Sequence, residues 1–195
     1  MTKSLLVECH PRIDSLTMAV STAFRESAAG VEFDVADLYR EEFDPRLTID
    51  DEPDWHDPEK RYSNAVRHEM ARIERNAATV LVFPIWWWSF PAMLKGWIDR
   101  VFNHGWAYGG RDYPHKDVWM LAIAGNDKDA YIKRRYDDAI NTQLKVGVLD
   151  YCGVERPRIE MLYGAIEGEK HVESILDRSR TLGSEFAATL SGVRS

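Results

Sequence analysis

Three short segments carry side chains suited to holding a flat, phosphorylated ligand. The first is Cys9-His10-Pro11-Arg12-Ile13-Asp14-Ser15-Leu16-Thr17, which sets two hydroxyls at the start of a helical pattern. A helix N-terminus offers unpaired N–H groups and the positive end of a dipole, which suit a phosphate. Helix capping by Asp14 or Ser15 explains the same residues equally well. The second is Pro84-Ile85-Trp86-Trp87-Trp88-Ser89, after an apolar run. A strand alternates faces, so three consecutive tryptophans cannot all be core; at least one faces a ligand, a partner or solvent. Trp86 and Trp87 are assigned to a ligand wall, with main-chain groups nearby for the polar edge of a ring system. Trp88 is assigned to packing or a dimer contact. The third is Ala124-Gly125-Asn126 followed by Tyr131 and Tyr136. Gly125 allows close backbone approach, and either phenol can donate a proton or stabilise an anion. By default each is a surface or interface tyrosine.

Other chemistries lack their residues. The six histidines, His10, His56, His68, His104, His115 and His171, form no HxxxH or HExxH pattern, so no metal site is expected. Cys9 and Cys152 form no CxxC pair. There is no P-loop, no GxGxxG and no Gly-x-Ser-x-Gly elbow, which argues against an NTPase, a Rossmann dinucleotide protein and an α/β-hydrolase. The net charge of −7 opposes nucleic acid or an anionic membrane as partner. No run reaches the roughly 18 apolar residues of a membrane span. The apolar run at the N-terminus is too short for a signal peptide. A soluble cytoplasmic chain with reduced cysteines is therefore expected. The acidic stretch Asp50–Asp57 reads as solvated.

The elements that must position these segments alternate. Strands are predicted at Leu5–Cys9, Val31–Leu38, Ala78–Phe83, Val118–Ala124 and Arg158–Tyr163. Helices are predicted at Ser15–Ala29, Ser63–Asn76, Ala92–Phe102, Tyr131–Tyr151 and Glu169–Leu190, with residues 40–60 as loop. The continuous apolar run before Pro84 suits a central parallel strand, and the alternation in Val31–Leu38 suits a half-buried one. Five strands alternating with five helices predict an α/β, doubly wound three-layer sandwich, in one domain spanning residues 1–195. In the flavodoxin-like order 2-1-3-4-5, a ligand sits beyond the carboxyl ends of the first and third strands. Both the Ser15/Thr17 loop and the tryptophan run fall there.

Several motifs run in order through the first 110 residues: His10-Pro11 with Ser15 and Thr17; Asp37-Leu38-Tyr39 with Phe43-Asp44-Pro45; Phe83-Pro84-Ile85-Trp86-Trp87; Pro91-Ala92 with Leu94-Lys95-Gly96-Trp97 and Asp99-Arg100-Val101-Phe102; and Gly105-Trp106-Ala107-Tyr108-Gly109. Together they resemble the NAD(P)H:quinone oxidoreductases of the flavodoxin-like fold, the DT-diaphorase group. Ancillary subunits of glutathione-gated potassium-efflux systems are similar too. The resemblance implies a bound flavin, FAD or FMN. His10, Ser15, Leu16 and Thr17 would hold its phosphate. Pro84, Ile85, Trp86 and Trp87 would line the isoalloxazine, and Gly125, Asn126 and Tyr131 would reach its pyrimidine edge. It implies ping-pong hydride transfer from NAD(P)H through the flavin to a quinone-like acceptor. It also implies a homodimer, with Trp106, Tyr108 and Tyr113 lent by the partner. In this family a tyrosine and a histidine stabilise charge on the reduced cofactor. Tyr131 matches the tyrosine, while Tyr136 lies about where the histidine would be. The family's Glu-Gln pair stands here as Glu69-Met70, which removes one adenosine contact expected of FAD. Two alternatives are a flavin-binding regulatory subunit of a potassium-efflux antiporter and a one-electron flavodoxin-type carrier.

Overall fold

The computed structural model describes residues 2–57 and 59–192. Five strands form one parallel sheet: β1 (Thr2–Glu8), β2 (Val31–Asp37), β3 (Thr79–Pro84), β4 (Asp117–Ile123) and β5 (Arg156–Leu162), in the order β2-β1-β3-β4-β5. Every residue of β3 and β4 is buried, which is why, past their first residues Thr79 and Asp117, their sequences are continuous apolar runs. The edge strands β2 and β5 are mostly half-buried and carry the charges.

The period-two alternation of the strands sends side chains to two cores. Leu5, Val7, Leu81, Phe83 and Met120 join Trp97 and Leu94 of α3 (Ala92–Val101) and Val66 and Ile73 of α2 (Asn64–Glu74). Leu6, Val80, Val82 and Leu121 face Val20 and Phe24 of α1 (Leu16–Ser27) and Phe186 of α6 (Glu169–Gly192). Helices α1 and α6 meet at Gly183, where an added Cβ would fall 2.2 Å from the Phe24 carbonyl oxygen. Both cysteines are buried free thiols.

Two regions depart from the sequence reading. The predicted helix Tyr131–Tyr151 is broken: α4 (Lys128–Arg134) ends at Arg135, whose φ of 58° is left-handed, and α5 (Tyr136–Ile140) restarts the chain in a new direction. Residues Asn141–Asp150 then continue as a π-wound turn. The described residues therefore hold six α-helices, not five. The acidic loop is also not wholly solvated. Ile49–Asp51 is a 3₁₀ turn, and Asp51 is 0% exposed because Arg100 reaches it at 2.6 Å and Ser63 donates N–H and Oγ–H to it. Arg100 also bonds the Asp44 carbonyl and lies over the Phe43 ring, so one guanidinium ties this long connection to α3.

No helix among the described residues is long and apolar enough to cross a membrane.

Candidate active site

The strand order reverses beside β1, so the crevice lies past the carboxyl ends of β1 and β3. Three loops reach it, after β1, β3 and β4.

Past β1, Ser15 caps α1 by accepting the Met18 N–H at 3.3 Å. That use leaves its hydroxyl proton to donate. The N–H groups of Leu16 and Thr17 have no acceptor among the described residues, as the geometry of a first helical turn requires. His10 Nδ1 lies 3.1 Å from the Arg12 nitrogen and 3.2 Å from the Arg12 carbonyl oxygen, so this ring nitrogen is tied to the Arg12 main chain. Burial holds its pKa below the usual histidine value, so the ring is neutral at pH 7. The His10 ring meets the edge of Trp86, 6.0 Å between centroids, joining the first loop to the second.

Past β3, Pro84 ends the strand opposite Ile123, and the Ile85 N–H donates to the Ile123 carbonyl at 2.7 Å. The chain then reverses in two residues. Trp86 and Ser89 exchange N–H···O bonds at 3.3 and 3.1 Å, and Trp87 and Trp88 both have positive φ, 51° and 56°. Positive φ at both central residues is the type I′ pattern, normally filled by Asn and Gly. Two tryptophans there store backbone strain. The three rings differ in exposure: 41% for Trp86, 87% for Trp87 and 38% for Trp88. Trp88 packs on Tyr136 with centroids 4.3 Å apart. Trp87 touches only the edge of Trp88 among aromatic neighbours and projects outward.

Past β4, the carbonyls of Ala124, Gly125 and Asn126 accept N–H groups of Ala165, Ile166 and Gly164. The N–H groups of Gly125 and Asn126 find no acceptor among the described residues. This loop is therefore held from behind and presents donors forward. Asp127 caps α4 through Ala130 N–H at 2.7 Å, setting Tyr131 in the first helical turn. Tyr131 is buried between Tyr136 and Tyr163, at centroid distances of 5.9 and 5.3 Å. Burial raises its pKa, with the Tyr136 ring adding to the effect, so it keeps its proton. No acceptor among the described residues takes its hydroxyl.

The site residues named from sequence thus fall into two joined groups: His10 against Trp86, and Tyr131 against Tyr136, which carries Trp88. Reasoning from sequence missed Tyr163, which closes the tyrosine cluster, and Ile166, whose Cδ1 would lie 3.9 Å from a Cβ at Gly125. Ile166 is exposed beyond the end of β5, a position that strand counting alone could have found. Tyr113 is not available to a partner: it is buried, and its hydroxyl meets Thr79 Oγ1 at 2.9 Å. Glu69 is committed inward, accepting the Trp97 Nε1–H at 2.9 Å. No group of three or more His, Cys, Asp or Glu among the described residues could hold a metal.

Free donors at a helix start, exposed indoles after β3 and free main-chain donors after β4 suit a flavin: phosphate, flat apolar ring and polar ring edge. Residues 2–182 match a protein family of flavodoxin-like fold, and the chain belongs to that family. Its relatives include an uncharacterised NAD(P)H oxidoreductase, YcaK, of Escherichia coli K12, 38% identical over 186 residues and covering 91% of this chain and 94% of the relative. The guinea-pig (Cavia porcellus) NAD(P)H dehydrogenase [quinone] 1 is 27% identical over 83% of this chain and 68% of its own. Among solved structures, an NAD(P)H:quinone oxidoreductase from Methanothermobacter marburgensis aligns with a TM-score of 0.89 at 28% identity, covering 95% and 96% of the two chains.

Proposed function

We propose that this chain is a flavin-dependent NAD(P)H oxidoreductase acting on quinone-class acceptors by a ping-pong scheme. The observation that carries the reading is the strained, exposed Trp87 after β3 together with main-chain donors after β1 and β4 that have no acceptor among the described residues. A bound flavin would supply the two-electron exchange between nicotinamide and acceptor. The protein's part is to bind, orient and hold protons. Leu16 and Thr17 N–H, the Ser15 hydroxyl and the His10 ring would take the phosphate. Pro84, Ile85, Trp86 and Trp87 would bound the ring system. Gly125 and Asn126 N–H would bond its polar edge, and Tyr131, kept protonated by burial, would donate to negative charge there. Tyr136 would act beside it, through its stack on Trp88.

FAD and FMN both fit this scheme; Glu69, already bonded to Trp97, offers little to an adenosine. We further propose a cytoplasmic, single-domain homodimer in which Trp106 and Tyr108 approach the partner's crevice.

The test is direct. Purified protein should be yellow, lose that colour with NADH or NADPH under anaerobic conditions, and regain it on adding a benzoquinone. Heat-released cofactor identifies the flavin. A colourless protein that takes up neither FAD nor FMN would refute the reading.

A further inference from the structure

Tyr108 belongs to a larger exposed group of rings. Trp55, from the long connection between β2 and α2, lies 5.8 Å from it and 5.1 Å from the His104 ring, centroid to centroid. Tyr151 also meets Tyr108, at 5.4 Å. Trp55 is 60% exposed, so its indole projects from the surface. With Ile98, Phe102 and Cys152 these rings line a notch of about 260 Å³. That is below the range of about 300–1,000 Å³ typical of small-molecule sites, so one protomer alone does not make a ligand site there. The group also stands away from its own crevice. Helix α3 starts at Ala92, just past the tryptophan turn, and Ile98 and Phe102 lie at its far end, about 10–15 Å on at 1.5 Å per residue. Tyr108 and Tyr151 likewise precede the amino ends of β4 and β5, while the crevice lies past carboxyl ends.

The charges around Trp55 point the same way. Asp50, Glu52, Asp54 and Asp57 are exposed on either side of it, and none has a cationic partner among the described residues. Asp51 is the exception: its pair with Arg100 fixes the base of the connection. Helix α4, which sets Tyr131 at the crevice, carries Lys128, Lys133 and Arg134 exposed and without a carboxylate partner, against one acid, Asp129. In a two-fold dimer each surface meets its complement twice, once in each half, and opposed charges of this kind fix the register of the contact.

We propose that Trp55 is an acceptor-specificity residue acting across the dimer: its indole closes the partner's crevice over the acceptor ring, and the acids beside it seat the connection on the partner's α4. The inference rests on the reductase and homodimer reading and adds to it the residue that selects the acceptor. A flat ring at that place favours fused-ring quinones, which offer more face to stack on, over one-ring quinones.

The test is equilibrium binding of menadione and of a one-ring benzoquinone to the oxidised holoprotein, without nucleotide, read from the flavin absorbance. Trp55→Ala should lose at least fivefold in menadione affinity and less than twofold in benzoquinone affinity, with flavin content unchanged. Trp55→Phe should stay within twofold for both. The side chain is mostly exposed, so folding should be retained, which the melting temperature checks. A mixed dimer pairs one Trp55→Ala chain with one Trp87→Asn chain. Its intact crevice then faces an intact Trp55 from the partner, and the flavin-loaded site should bind menadione as the wild type does. Lys133→Glu/Arg134→Glu should raise the dimer dissociation constant at least fivefold in sedimentation. Unchanged menadione affinity in Trp55→Ala, equal losses for both quinones, a mixed dimer as weak as the Trp55→Ala homodimer, or an unchanged dimer constant after charge reversal would each overturn the assignment. A Trp55→Ala protein that stays yellow, bleaches with NADH or NADPH and binds menadione as before sinks this inference and leaves the reductase reading standing. A wild-type chain that takes up no flavin sinks both.

Discussion

Trp87→Asn separates what the exposed indole does for folding from what it does for binding. A non-glycine residue held in the left-handed region costs about 1–3 kcal/mol, and Trp87 sits there at φ 51°. Asparagine adopts that region far more readily. The burial lost is small. A tryptophan covers about 250 Å² at most, and with Trp87 at 87% exposure roughly 30 Å² is removed from water, worth about 0.8 kcal/mol. Asparagine still bears part of that strain, so the relief matches or modestly exceeds the lost burial, and the apoprotein should gain between zero and about 1 kcal/mol. For a chain of this size that is a rise in melting temperature of at most about 4 °C. Flavin affinity should fall at least tenfold, because the ring wall is gone. The measurement must be made on apoprotein, since a bound ligand raises apparent stability by mass action. Trp88→Asn is the control: it relieves the same strain but also loses the stack on Tyr136, worth about 0.5–1.5 kcal/mol beyond burial, and should be the less stable variant. A drop of more than about 5 °C in the Trp87→Asn apoprotein would show that the indole belongs to the fold, and unchanged flavin affinity would remove it from the site.

Three further outcomes are expected. Asp51→Ala should cost about 3–5 kcal/mol in urea unfolding, because it strands the buried Arg100 guanidinium. His115 is buried, its Nδ1 facing Thr79 Oγ1 at 2.7 Å and its Nε2 facing the Ile73 and Asn76 carbonyls, and burial lowers its pKa. The unfolded chain then takes up a proton first as pH falls. This contribution to stability is whole above the unfolded value of about 6.5, and is lost as pH drops below it toward the folded value; His115→Gln should flatten that part of the stability–pH curve. Tyr136→Phe should keep kcat/KM within about threefold if the ring acts by its stack on Trp88, whereas Tyr136→Ala should reduce it at least tenfold, and equal losses in both would assign the role to the hydroxyl.

Much of this architecture was legible in the chain. The runs before Pro84 and through Val118–Ala124 are apolar at every step because both faces of β3 and β4 are covered, and that pattern alone names central parallel strands. Gly30 after α1 and the alternation of Val31–Asp37 placed the edge strand. The crevice loops followed from strand order. What stayed hidden depended on tertiary partners. Asp51 looked like one more surface acid until Arg100, forty-nine residues away, drew it inside. Arg135 carries no sign of a left-handed turn, since the residues that favour φ > 0 are Gly and Asn. Tyr113 reads as an interface aromatic but is captured by Thr79 at the start of β3. The I′ turn at Trp87-Trp88 was invisible for the same reason: local propensity argues against it, and the turn forms only with the Trp86–Ser89 bond pair that closes it.

The two cysteines set a limit on chemical damage. Cys9 follows directly on β1 beside the crevice, yet it is fully buried and its thiol is pushed up to about 12; burial pushes Cys152 up to about 11. At pH 7 the thiolate fraction at Cys9 is then on the order of one in 10⁵. Electrophiles and peroxides attack thiolates rather than thiols. Whatever electrophiles reach the crevice mouth, the chain's own sulfur stays out of the reaction, and its working lifetime should not depend on a reducing cell to repair it.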